Sequence, residues 1–242
     1  MNIKNLQKNW NRFGEDDPLW AILTHPDKRN NQWQLEEFFE IGKREIAGVL
    51  HRIERLRVPL RQDRALDFGC GVGRLTQALC THFGEVHGVD IAASMIEKAR
   101  ELNQFGDQCH YHHNTVDHLP LFQDNTFDLI YTNITLQHMK PRYAFSYLRE
   151  FYRILRPGGM MVFQIPSEPP PQLAWIYRYV PEPMLNLARR FRHRSHAVME
   201  MHVIHERKMR AFLDKLGAEL VDLQTEGSSG VGWVSFRYFV RK

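Results

Sequence analysis

Between Ala65 and Leu79 the chain reads ALDFGCGVGRLTQAL, an apolar run holding one acid and then three glycines at every second position. Glycine accepts left-handed backbone and gives up the most conformational freedom on folding, so such a cluster marks a tight turn or a close approach to the backbone. A strand that ends in this kind of loop and continues as a helix is the opening unit of a doubly wound sheet, where the helix-start amides face a ligand. The loop narrows the fold to α/β, with a nucleotide-like ligand at its first turn.

The flanking segments keep the same rhythm. From Leu35 to Leu56 the apolar residues Leu35, Phe38, Phe39, Ile46, Val49, Leu50, Ile53 and Leu56 recur at helical spacing and stop before Pro59. RALDF (64–68), VHGVD (86–90), CHYHH (109–113), FDLIYT (127–132) and MMVFQI (160–165) read as strands, several of them continuous apolar runs suited to a parallel sheet covered on both faces. Ser94 and Glu97 have capping-box spacing and open a helix after Asp90. Pro141 starts another helix carrying Ala144, Leu148, Phe151 and Leu155, and RPGG at 156–159 closes it with a turn. A late stripe of Met209, Phe212, Leu213 and Leu216 ends at Gly217, and AELVDLQT and WVSFRYFV follow as an antiparallel hairpin. The order β-α-β-α-β-β-α-β calls for right-handed crossovers in a doubly wound sheet.

Composition excludes several classes. Lys plus Arg exceed Asp plus Glu by four (32 against 28), with both signs scattered, which suits an ordinary soluble protein better than a dedicated nucleic-acid binder. The 242 residues, 43% of them hydrophobic, suffice for one full core. Cys70, Cys80 and Cys109 have no CxxC spacing, which argues against disulfides or zinc and for a reducing compartment. With a polar N-terminus and no run near the roughly 20 apolar residues of a membrane span, the expected location is the cytoplasm.

Spacing decides the ligand class. A dinucleotide fingerprint would need glycine at position 74, which is Arg74, and no phosphate loop of the G-x-x-x-x-G-K-[ST] type is present. The second strand ends in Asp90, seventeen residues after Gly73, where an acid can accept hydrogen bonds from both ribose hydroxyls and Ile91 can lie against an adenine face.

LDFGCGVGRLT, GVDIAASMIEKAR, LPLFQDNTFDLIYTNITLQHM and YLREFYRILRPGGMMVFQIP, in that order, resemble successive motifs of class I S-adenosylmethionine-dependent methyltransferases, in particular the broad small-molecule group (type 11/12-like). The resemblance spans residues 63–166 and extends more weakly through the terminal hairpin. It implies a Rossmann-like sheet of seven mostly parallel strands with the last inserted antiparallel, S-adenosylmethionine as cofactor, and methyl transfer to a small or medium-sized acceptor at an oxygen or nitrogen atom. Carried over by position, it sets Gly69, Gly71 and Gly73 beneath the methionine and ribose, Asp67 on the methionine ammonium through water, and Asp90 on the ribose diol. The adenine position, usually Gly-Asp-Ala, aligns with Asn114, Thr115 and Val116, so Thr115 replaces the usual acid and Asn114 or Asp117 is left to bond the adenine amino group. Asn133 would flank the sulfonium. The plainer readings are a loop-capping acid for Asp67 and a helix-start acid for Asp90.

Other residues admit more than one role. His138 sits just past the fourth strand, either as a general base for the acceptor or as a histidine fixing its loop by hydrogen bonds; His202 and His205 are further candidates or plain helix-start residues. Cys70 reads as a small filler. His110 and His112 share a strand face beside His113, but no cysteine or carboxylate stands at ligand spacing, so no metal is assigned. The expected organisation is one domain over 1–242, with a helical lid at 1–60, a cofactor-binding core at 61–166, a substrate-side insertion at 167–203, and a last helix and hairpin at 204–242. In the insertion, a stripe of Met184, Leu187, Ala188 and Phe191 precedes Arg189, Arg190, Arg192 and Arg194, which reads as a solvated basic face, a site for an anionic acceptor, or a contact with RNA or anionic membrane. Rival functions are an RNA-modifying methyltransferase using 189–194 and a non-catalytic S-adenosylmethionine-binding protein.

Overall fold

The structure is a computed structural model that describes residues 2–180, 184–186 and 197–242. Its seven strands, β1 (Arg64–Phe68), β2 (Glu85–Asp90), β3 (Cys109–His113), β4 (Phe127–Thr132), β5 (Leu155–Glu168), β6 (Glu219–Thr225) and β7 (Val234–Arg241), form one sheet in the order β3-β2-β1-β4-β5-β7-β6. β1 to β5 are parallel, and β7 is inserted antiparallel between β5 and β6. The first four strands coincide with the expected runs to within one residue.

Strand periodicity divides the core into two layers. Leu66, Phe68 and Ile130 face Leu148 and Phe151 of α6 (Pro141–Ile154) and Met209 and Leu213 of α8 (Glu206–Leu216). Ala65, Leu129 and Tyr131 face Ile46 and Val49 of α3 (Leu35–Arg55), Leu79 of α4 (Arg74–Cys80) and Ile96 of α5 (Ala93–Glu101). The buried acid of β4, Asp128, is fully engaged: it accepts the amides of Asp63 and Arg64 and pairs with Arg156 at 2.8 Å. The strand order reverses between β1 and β4, and the crevice for a ligand opens at the carboxyl ends of those two strands.

The N-terminal segment packs over that crevice. Phe13 of α1 (Ile3–Asp16), Ala21 of α2 (Pro18–Ile22), Trp33 and Phe38 are buried with Val72 of the glycine loop and Met95 of α5. The Trp33 indole N–H donates to the Leu23 carbonyl at 3.1 Å, satisfying the one polar atom that burial would leave without water.

Three local expectations are corrected. Ser94 does not cap a helix, because α5 begins earlier, at Ala93, after Asp90 has accepted the Ala92 amide at 2.8 Å. Its hydroxyl donates instead to the Asn11 carbonyl of α1 at 2.8 Å. Ser94→Ala is therefore expected to cost about 1 kcal/mol and to speed amide exchange in α1 rather than in the first turn of α5. RPGG at 156–159 is not a closing turn: β5 already runs from Leu155, and the segment is an irregularity in its pairing with β4, with Gly158 at φ 80°. Leu35 is 47% exposed and falls off the buried face of α3.

In the insertion, α7 (Ala174–Tyr179) leaves Trp175 and Tyr179 largely exposed. The arginines 189, 190, 192 and 194, with Leu187, Ala188 and Phe191, lie outside the described residues. Among the described residues no helix is long and apolar enough to cross a membrane.

Candidate active site

The loop after β1 takes the path that its glycines permit. Gly73 has φ 86°, and a Cβ there would collide with the Tyr111 hydroxyl of β3; Gly69 has φ 77°, and a Cβ there would strike Thr135. Only a residue without a side chain passes between the loop behind β4 and the third strand and still starts α4 in register. The loop is tied down by its own amides: Gly69 and Cys70 donate to the Val89 carbonyl, and Gly71 donates to Asp90 Oδ2 at 2.9 Å.

A cavity of about 890 Å³, its open mouth included, lies over this loop. Gly69, Gly71, Asp90 and Ile91 line its floor, Asn114, Asn133, Ile134, Thr135, His138 and Tyr147 its walls, and Leu6, Trp10, Ala21 and Ile22 its cover. An apolar cleft with a few converging polar groups is the usual form of a small-molecule site. The structure thus brings seven of the sequence-derived site residues, Gly69, Gly71, Asp90, Ile91, Asn114, Asn133 and His138, to one cavity. Asp67 lies behind the loop, Gly73 turns toward Tyr111, and Thr115 is exposed outside the cavity wall.

The charges around the loop are unusual for a protein interior. Asp67 is 1% exposed; Oδ2 accepts the Thr76 hydroxyl at 2.7 Å, and Oδ1 has no hydrogen-bond partner among the described residues. Burial pushes its pKa up to about 7, against the lowering effects of the Thr76 bond and the Arg74 charge. Arg74, also buried, lines the cavity and forms an ion pair with Glu45 at 3.0 Å, while its Nε has no hydrogen-bond partner among the described residues. Burial raises the pKa of Glu45, but Arg74 and the hydrogen bonds from Tyr131 and Asn133 outweigh it and leave it below the usual range. Asp90 Oδ1 and Oδ2 hold the Ala92 and Gly71 amides, and burial raises its pKa against those bonds.

Two wall residues are bonded into the protein. The Asn114 side-chain amide donates to the Val116 and His118 carbonyls, which closes the loop after β3. His138 is 3% exposed, donates from Nδ1 to the Glu200 carbonyl at 2.8 Å, and lies 3.2 Å through Nε2 from the Gln137 amide nitrogen. Ile134 adds strain: a β-branched residue at φ 57°, held by the Gln164 side chain accepting its amide, beside Asn133.

Sequence reasoning missed Glu45, Arg74 and Ile134. Glu45 was detectable as an acid adjoining buried Ile46, between Gly42 and Val49 on the inner stripe of α3. Arg74 registered only as a missing glycine, and no local pattern marks Ile134.

A family profile described as a methyltransferase domain matches residues 66–163, the stretch that carries β1 to β5 and the cavity floor. That stretch is therefore similar to a methyltransferase domain. The demethylmenaquinone methyltransferase of Staphylococcus haemolyticus (strain JCSC1435) is 36% identical over 110 residues, 44% of this chain and 44% of that protein. That of Staphylococcus aureus (strain JH9) is 32% identical over 158 residues, 59% of this chain and 64% of that protein. The chain thus aligns with about half to two thirds of the length of these relatives. Among solved structures, the magnesium protoporphyrin IX methyltransferase of Synechocystis PCC 6803 with bound SAH shares the fold over 100% of both chains, at TM-score 0.64 and 16% identity. A SAM-dependent methyltransferase of Leishmania major does so over 98% of this chain and 83% of its own, at TM-score 0.66 and 15% identity. The fold match thus extends beyond residues 66–163 on both sides.

Proposed function

We propose that the protein is an S-adenosylmethionine-dependent methyltransferase acting on a small-molecule acceptor. The observation that carries this reading is the pair of buried groups beside the loop that each keep an atom without a hydrogen-bond partner among the described residues, Asp67 at Oδ1 and Arg74, itself ion-paired with Glu45, at Nε. An α-amino acid presents an ammonium and a carboxylate together, and these two residues, one on each side of the glycines, complement both. A pyrophosphate would be repelled by Asp67.

In this reading Arg74 takes the methionine carboxylate, Asp67 the ammonium through water, Asp90 the ribose diol, and Ile91 one adenine face. Thr115 is exposed, and Asn114, with its amide protons given to the chain, offers its side-chain oxygen as the acceptor that the adenine amino group needs. When bound, the cofactor supplies a methyl group already activated on a sulfonium. What remains for the protein is alignment and exclusion of water. Asn133, fixed by Glu45 at 2.6 Å, holds the wall beside the transferring carbon, and α1 with α2 covers the cleft as a lid through Leu6, Trp10 and Ile22. His138 keeps the wall in place through its two ring nitrogens rather than acting as the base. The cover and Met139 favour an acceptor with an apolar body, in keeping with the name of the Staphylococcus relatives.

Calorimetric titration of the full chain with S-adenosylmethionine and S-adenosylhomocysteine tests the proposal. Single-site binding of both is expected, and absence of binding by either overturns it.

A further inference from the structure

We infer that the chain has a second site, a divalent-cation site of the zinc type formed by Glu85, His87 and His110 on the β2–β3 edge of the sheet. Along β3 the histidines lack a carboxylate partner, but strand pairing supplies one. His87 of β2 stands directly opposite His110 of β3, and Glu85, two residues before His87, shares its face. Three potential ligand atoms, one from each residue, all lie within 4.8 Å of one another. The Glu85 oxygen is 2.9 Å from His87 Nε2 and 3.6 Å from His110 Nε2. Ligands of one tetrahedral zinc, each at about 2.0–2.1 Å from the ion, stand about 3.3 Å apart, so these separations bracket the geometry required.

The outer shell is also in place. A metal-bound histidine hands its other ring nitrogen to a partner, and ligating carboxylates are themselves hydrogen-bonded. His87 Nδ1 lies 2.9 Å from His112 Nε2, and the second oxygen of Glu85 accepts from Arg64 at 2.7 Å. Phe122 and Phe127 pack edge-on against the His87 ring and fix its plane. The other side is open: the Glu85 and His110 side chains are 31% and 39% exposed, which gives an ion a path in. With cation at Nε2, His87 carries its proton on Nδ1 and donates it to His112, a tautomer change that releases no net proton.

Two imidazoles and one carboxylate suit zinc, cobalt or nickel and not magnesium or calcium, which take oxygen ligands. Glu85 and Asp90 stand at opposite ends of β2, about 16 Å apart at the rise of a strand, so the ion would sit away from the methyl-transfer cavity. Its effect there would be to clamp edge strand β3, whose end leads into Asn114 of the cavity wall, onto β2.

The test uses the untagged full chain, stripped with chelator and titrated with Zn²⁺ against a chelating dye, with Co²⁺ as a spectroscopic substitute and Mg²⁺ as control. Expected are one equivalent of Zn²⁺, a four-coordinate type of Co²⁺ visible spectrum, and no response to Mg²⁺. His110→Ala and Glu85→Gln should each weaken Zn²⁺ binding at least about tenfold, the least that loss of even an outer-shell partner costs. His51→Ala, at an exposed His51–Glu54 pair, should leave it unchanged. No stoichiometric binding, or equal affinity in the wild type and both site variants, would overturn the inference.

Discussion

Replacing Asp90 with Ala is expected to weaken S-adenosylmethionine binding about 100-fold while leaving the sheet folded. The carboxylate holds the loop amide of Gly71 at 2.9 Å and the α5-start amide of Ala92 at 2.8 Å, so it joins the two segments that flank the cleft. Hydrogen bonds to a charged group are worth about 1.5–3 kcal/mol each, and the proposed diol contacts disappear in the same variant. A net loss of about 3 kcal/mol corresponds to about two decades in affinity. Asp90→Asn keeps one acceptor oxygen and should lose about tenfold. Calorimetry with a circular-dichroism check on the fold reads both effects. Unchanged affinity in a folded Asp90→Ala protein would refute the ribose assignment.

Asp67→Asn is expected to stabilise the free protein above neutral pH and to weaken cofactor binding. The folded pKa of about 7 lies above the ordinary 3.8, so the native state binds the proton more tightly than the unfolded chain. Stability is then greatest below pH 4, falls as pH rises from about 4 to about 7, and is flat beyond. A pKa raised from 3.8 to about 7 corresponds to about 4 kcal/mol, from which an Asn amide left without a partner takes back about 2 kcal/mol. The net gain of about 2 kcal/mol should raise the melting temperature at pH 8 by about 4–8 °C and vanish near pH 5. Affinity for S-adenosylmethionine should drop at the same time, because the neutral amide no longer complements an ammonium. A variant no more stable at pH 8 than at pH 5, relative to the wild type, would show that the Asp67 carboxylate is not under this strain.

On the proposed function, that opposition of stability and binding would account for the acid's position. A carboxylate with one oxygen unsatisfied in a buried position is costly, and in the proposed function the methionine ammonium would offset that cost.

The strands were legible because each obeys a local rule. β4, buried at all six positions, appears as the largely apolar run FDLIYT, whose one charged residue, Asp128, finds Arg156 and two amides. Ser94 shows where local rules fail: capping-box spacing describes a helix in isolation, and here the Asp90 carboxylate starts α5 earlier while Ser94 is drawn to Asn11 of a helix more than 80 residues away in sequence. RPGG likewise reads as a turn until β4 pairs across it.

The chain's residues alone determined the sheet's first turn and pointed to the class of ligand proposed for it, because a left-handed loop requires glycine and the arginine at position 74 departs from the pyrophosphate cradle. Only the tertiary structure decided what Arg74 and Glu45 do, since their pairing joins two helices separated by the whole first strand. It likewise supplied Glu85 and His87 to the histidines of β3, a carboxylate that no spacing along that strand could reveal, because ligands of one ion need to be neighbours in space and not in sequence.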